Sequence, residues 1–188
     1  MTSAQTVMNS VLKVQKGEKV LIIANPATKN IGFDLFDAAT ERGAKASIIF
    51  QNDKTSFDYA EDTVLKAIES NPDVCISLSN IKLGKDPYAT ANPYKTPDGQ
   101  EYSHIFDYLL DGKKTMRAAW TPGITEDMMN RTANIDYDQL KNACLEWEKK
   151  EGIMTESQLL SFAQGNATDA WTYMGCHSTN SGKKKNYV

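Results

Sequence analysis

The apolar residues of this chain fall into two textures. Residues 20–24 (Val-Leu-Ile-Ile-Ala) form an unbroken apolar run rather than an alternation, the pattern of a strand covered on both faces, as in a parallel sheet. Residues 73–79 repeat that texture, and 44–50 (Ala-Lys-Ala-Ser-Ile-Ile-Phe) read as a further strand. Between 24 and 44, Ile31, Leu35, Phe36, Ala38 and Ala39 recur at helical spacing, and Gly43 stands where a left-handed residue ends a helix. A parallel strand pair needs a crossover of about a dozen residues or more, and this helix supplies it with the expected right hand. Residues 18–50 are therefore a βαβ unit.

The same reading extends in both directions. Val7, Met8, Val11 and Leu12 predict a short helix over 4–14 that covers the sheet and closes near Lys16-Gly17. Asp58 and Glu61 have the spacing of a capping box for a helix over 59–69, which Asn71-Pro72 stops. Residues 80–102 hold three prolines, two glycines and no apolar periodicity, as an insertion or a lid would. Ile105, Phe106, Leu109 and Leu110 then predict a short amphipathic helix ending at Asp111-Gly112, followed by a fourth strand over 115–120. Thr121-Pro122-Gly123 turns the chain, and Thr125 can cap a helix whose first turn carries Glu126 and Asp127, favourable charges at that end. Asp136 and Gln139 predict a second capping box, stapled by Ile135 and Leu140, opening a helix over 137–149. Residues 155–163 suit one more helix, whereas 165–188 are mostly small, polar and basic and are expected to be loose or disordered.

The expected architecture is a three-layer α/β domain over residues 1–150, Rossmann- or flavodoxin-like, followed by a divergent tail over 151–188. Its four-stranded, mostly parallel sheet takes the order 2-1-3-4, with helices on both faces.

Composition narrows the function classes. A length of 188 residues suits one domain with a core large enough to fold without staples, and a net charge of −3 offers no attraction for nucleic acid. The N-terminus lacks a basic region followed by an apolar core, and no apolar stretch approaches the roughly 18 residues of a membrane span, so a cytoplasmic location without a membrane partner is expected. Cys75, Cys144 and Cys176 are odd in number and widely spaced, which indicates neither a disulfide framework nor a paired-cysteine zinc site. Cys75 reads as a small core residue, and Cys144 packs near Leu140 and Trp147.

Candidate chemistry is sparse. A two-metal hydrolase needs several carboxylates and imidazoles in one pocket, and this chain has two histidines. His104 reads as a solvated or capping residue, while His177 follows Cys176 without zinc spacing. The stretch after the first strand, Ala24-Asn25-Pro26-Ala27-Thr28-Lys29-Asn30, lacks the glycines that a phosphate loop needs, so no nucleotide cofactor is expected. No Gly-x-Ser-x-Gly elbow occurs, and no catalytic residue or metal ligand is assigned. Asn25, Thr28, Ser77 and Ser79 are the ligand-binding candidates, because they lie near the carboxyl ends of strands, where open α/β sheets bind ligands. Helix capping and turn formation compete for all four.

Four stretches carry a family resemblance. They are Val11-Leu12-Lys13-Val14-Gln15-Lys16-Gly17-Glu18-Lys19-Val20-Leu21-Ile22, Glu41-Arg42-Gly43-Ala44, Pro122-Gly123-Ile124-Thr125-Glu126-Asp127-Met128-Met129 and Asn134-Ile135-Asp136-Tyr137-Asp138-Gln139-Leu140. Together they resemble the N-terminal domain of the aminopeptidase T family of metallo-aminopeptidases over residues 5–148. The resemblance implies a Rossmann-like first domain followed, in the family, by a second domain that holds a divalent metal pair and drives dimerisation. No counterpart of the metal-ligand motifs follows Lys149, so no family ligand is carried over to any position here. The expectation is a catalytically silent domain that shapes a site supplied by a second domain or another chain, with self-association through apolar surface near Trp147 and Met154. Two rivals remain open: an active hydrolase or ring-cleaving metal enzyme completed by oligomerisation, and a small-ligand binding module using the strand ends and the 80–102 loop.

Overall fold

The computed structural model describes residues 1–133, 135–137 and 139–143. Four strands, β1 (Lys19–Ala24), β2 (Lys45–Phe50), β3 (Val74–Leu78) and, later in the chain, β6 (Arg117–Trp120), form one all-parallel sheet in the order β2-β1-β3-β6. In chain order those strands read 2-1-3-4, as expected. The central strands β1 and β3 are buried on both faces, with Ile22, Ile23, Ile76 and Leu78 fully enclosed, whereas the edge strand β2 is only half covered. The apolar textures read at 20–24 and 73–79 fall on those two central strands.

One face of the sheet is covered by α1 (Ser3–Thr6, continued by a π-helical turn at Val7–Val11), α2 (Lys29–Glu41) and α6 (Glu126–Thr132). Met8, Leu12, Leu35 and Met129 pack there against Ile22, Ile76 and Ala119. The other face is covered by α3 (Asp62–Glu69) and α5 (Ile105–Asp107, continued by a π-helical turn at Tyr108–Gly112). Val64, Ile68, Ile105 and Leu109 meet Leu21, Ile23 and Cys75 on that side. Each fully buried Leu or Ile contributes about 1.5–3 kcal/mol, so two such layers hold the sheet without a disulfide or metal. Helix α2 ends as its sequence predicts. Gly43 has φ +76°, its N–H donates to the Thr40 carbonyl at 2.8 Å, and Ala44 N–H donates to the Ala39 carbonyl at 3.1 Å, the two bonds of a Schellman cap.

Two expectations are corrected. The Asp58–Glu61 capping box does not form, and α3 starts at Asp62 instead. Asp58 turns its carboxylate backward, accepting from Thr55 N–H at 2.7 Å and from its hydroxyl at 2.6 Å. The backbone around it is already engaged, because Lys85 N–H donates to the Asp58 carbonyl at 2.8 Å and Ala60 N–H to the Lys85 carbonyl at 2.9 Å. Nor is 80–102 without structure. It contains the short helix α4 (Pro87–Ala91) and a two-stranded hairpin, β4 (Tyr94–Lys95) with β5 (Glu101–Tyr102). Asp86, 1% exposed, organises this insertion by accepting from Tyr88 and Ala89 N–H at the start of α4 and from Ile105 N–H at the start of α5.

Thr125 caps α6 as expected, accepting from Met128 N–H at 3.1 Å. Asp136 accepts from Gln139 N–H at 2.9 Å and opens a helical stretch through 139–143. The remainder of that helix, Cys144, Trp147, Met154, Cys176, His177, the 155–163 segment and the tail lie outside the described residues. No described helix is long and apolar enough to cross a membrane.

Candidate functional site

In a sheet ordered 2-1-3-4 the connections diverge between β1 and β3, and ligands of such folds enter beside that point at the carboxyl edge. Here the place is sealed. Asn25, directly after β1 and wholly buried, donates from Nδ2 to the Gln51 carbonyl at 2.7 Å and accepts at Oδ1 from Asn80 N–H at 2.7 Å. One side chain thereby ties the segments leaving β2 and β3 to the end of β1. Thr28 completes the seal: its hydroxyl donates to the Leu78 carbonyl at 3.0 Å and accepts from Asn25 N–H at 3.0 Å. Ser79 is buried and bonded to the Ser77 hydroxyl at 2.8 Å. The structure therefore brings Asn25 with Thr28, and Ser77 with Ser79, into two buried pairs, and Ser77 also borders a cavity.

That cavity lies one strand over, on the α3/α5 face beside the ends of β3 and β6. It measures about 360 Å³, at the small end of the roughly 300–1,000 Å³ typical of ligand sites. Its walls include Leu83, Phe106 and Trp120, with Lys82, Lys85, His104 and Asp107 as the ionisable members. The loop that carries both lysines is zippered to 54–60. Lys82 N–H donates to the Lys54 carbonyl at 3.2 Å, and Gln51 Nε2 donates to the Leu83 carbonyl at 2.9 Å, in addition to the Asp58–Lys85–Ala60 bonds above. Gly84 is required at the tightest point: its φ is +103°, and a Cβ there would meet Ala60 N at 2.4 Å.

His104 caps α5, with Nδ1 accepting from Phe106 N–H at 3.0 Å. That bond leaves the proton of the neutral ring on Nε2, a buried atom without a hydrogen-bond partner. The ring is thus a capping residue, as expected, but not a solvated one. Burial lowers its affinity for a proton, against the opposing pull of Asp107 and Asp86 and of the Gly84 backbone, which lies near without making a well-formed bond. Asp107 shifts the other way. Much of its surface is open, yet the protein crowded around its carboxyl pushes the proton affinity up, His104 opposing and Asp111 assisting. Cys75, by contrast, is a sealed core thiol pushed up to about 12 by burial, as its place in an apolar strand implied.

Among the described residues no three His, Cys, Asp or Glu side chains converge as metal ligands. Lys82 and Lys85 carried no signal in the sequence beyond their membership of an unusually long connection, and Phe106 and Trp120 were read only as helix and strand residues. The pairing of 82–85 with 54–60 is what makes them neighbours.

Fold and site together define a parallel α/β domain with a small-molecule-sized cleft at the carboxyl edge of its sheet. No protein-family model matches the chain, and no curated protein does. Two solved structures are similar to parts of it. Ureidoglycine–glyoxylate aminotransferase from Bacillus subtilis aligns at 22% identity over 40% of this chain and 19% of its own, with a TM-score of 0.30. 2,5-Dihydroxypyridine dioxygenase from Pseudomonas putida KT2440 aligns at 14% identity over 80% of this chain and 43% of its own, with a TM-score of 0.44. This chain therefore spans less than half the length of either, and at these TM-scores the likeness carries no functional argument.

Proposed function

We propose that this protein is an aminopeptidase T-like N-terminal domain that does not itself hold the metal pair and that shapes a site completed by a second domain or another chain. The observation that supports this reading is the cleft. It offers binding groups, two lysines and a histidine, and aromatic walls, and among the described residues no three His, Cys, Asp or Glu side chains come together there to hold a metal that would activate water. A surface of that kind positions a ligand for chemistry performed by groups brought from outside.

The test is sedimentation velocity of the full chain over a wide concentration range, combined with metal analysis after growth with zinc, iron and manganese. Self-association without stoichiometric metal and without hydrolysis of amino-acyl anilides is the expected result. A strictly monomeric chain at high concentration contradicts the supporting role. Stoichiometric metal together with turnover favours instead an active hydrolase or ring-cleaving enzyme assembled in the oligomer.

A further inference from the structure

The cleft has a charge pattern that a merely supporting wall does not need. Lys82 and Lys85 form no ion pair among the described residues, although Asp58 lies near enough to Lys85 to feel its charge; each rests on a ring, Lys82 Nζ lying 5.0 Å from the Trp120 centroid and Lys85 Nζ 4.7 Å from that of Tyr59. An exposed ammonium gains little from one ring or from one surface carboxylate, so what favours an incoming carboxylate is that both lysines line the same cleft beside an apolar wall that a ring can cover. The backbone that presents both lysines is already fixed by its bonds to Gln51, Lys54, Asp58 and Ala60, so little ordering cost falls on binding.

The remaining lining sets the shape and charge of the occupant. Phe106, Trp120 and Leu83 give an apolar wall for one ring, and a volume of about 360 Å³ excludes an extended peptide. Asp107, the single carboxylate on the lining, penalises a second negative charge and so favours a monoanion over phosphate. We infer that this cleft binds a small aromatic carboxylate, with its ring against Phe106 and Trp120 and its carboxylate at Lys82 and Lys85. The inference rests on the reading of the cleft as a ligand-shaping surface, and names the class of ligand.

A nitrogen–proton NMR titration of the full chain tests it, with benzoate, benzamide, cyclohexanecarboxylate and inorganic phosphate as probes. Benzoate should give saturable shifts at the amides of residues 82–85 and at the Trp120 indole N–H, with benzamide and cyclohexanecarboxylate at least about tenfold weaker. The Lys82→Gln/Lys85→Gln double variant should lose at least about tenfold in benzoate affinity while its urea midpoint falls only slightly, as the loss of two exposed cation–ring contacts requires. The inference is overturned by unsaturable benzoate shifts, by unchanged affinity in the double variant, or by phosphate binding as tightly as benzoate. Self-association is measured without any probe, which separates the two claims. A chain that associates but ignores benzoate retains the supporting role and loses this ligand; a monomer that binds benzoate keeps the ligand and becomes a stand-alone binding module.

Discussion

Asn25 and His104 are both polar residues at the carboxyl edge of the sheet, and their surroundings treat them in opposite ways. Asn25 is wholly buried, and its donor and its acceptor both meet backbone at 2.7 Å. His104 uses one nitrogen to cap α5 and keeps the other buried without a partner, in a cleft also lined by two lysines that form no ion pair among the described residues. The first arrangement spends all its polarity on the fold, and the second leaves some over. Position at a strand end does not separate the two cases; the identity of the hydrogen-bond partner does. The switch point, where such folds usually admit ligands, is closed here by a side chain, and the open cleft has moved one strand toward β6.

The sharpest way to break this contrast is Asn25→Ala. If Asn25 is structural, removing its amide strands the Gln51 carbonyl and the Asn80 N–H in a dry interior and costs about 3 kcal/mol, read as a lowered urea midpoint at unchanged slope. A variant as stable as the parent would mean that water reaches the switch point, and that Asn25 belongs to a ligand site after all.

A smaller effect is expected at Gly84. An alanine Cβ there collides with Ala60 backbone at 2.4 Å in a region of φ that alanine avoids, so the 82–85 segment must part from 58–60. Gly84→Ala should cost about 2 kcal/mol and raise hydrogen exchange at Lys85 and Ala60 while leaving the amides of β1 protected. Equal exchange in both proteins would show that the zipper does not hold the cleft's shape.

The sheet was legible in the sequence because its signals are local. Continuous apolar runs marked β1 and β3, the Gly43 cap marked the end of α2, and Thr125 marked the start of α6. The start of α3 was misread because Asp58 has two uses, helix capping and turn bonding, and the choice depends on Lys85, which is 27 residues away. The cleft was hidden for the same reason. Ser77 was placed by its strand, but Lys82 and Lys85 are set by pairing with the 54–60 loop, and His104 joins them through the bond from Ile105 N–H to Asp86.

The finest difference between the two places is in how they respond to pH, since Asn25 cannot titrate and His104 can. Burial holds the folded His104 pKa below its ordinary value of 6.5, so below that pH the unfolded chain takes up a proton that the folded one refuses, and stability is lost as pH falls. Protonation would also put a hydrogen on Nδ1 and remove the α5 cap. Asp107 acts in the opposite sense. Its folded pKa is raised above 3.8, so the folded chain keeps a proton the unfolded one has released, and stability falls as pH rises through that window. Where the windows overlap the two effects offset each other, and single variants are needed to see either. His104→Asn retains a cap, because asparagine can accept from Phe106 N–H, but has nothing to protonate. Its stability should therefore decline less than the parent's between pH 7 and 5, and adding Asp107→Asn should remove the offsetting gain, so that the double variant falls below His104→Asn alone as the lower window is approached. The carbon-detected titration of His104 itself should fall below 6.5 in the folded chain. A midpoint at or above that value would mean the ring is solvated, and the cleft would then lose the buried donor that distinguishes it from the sealed switch point.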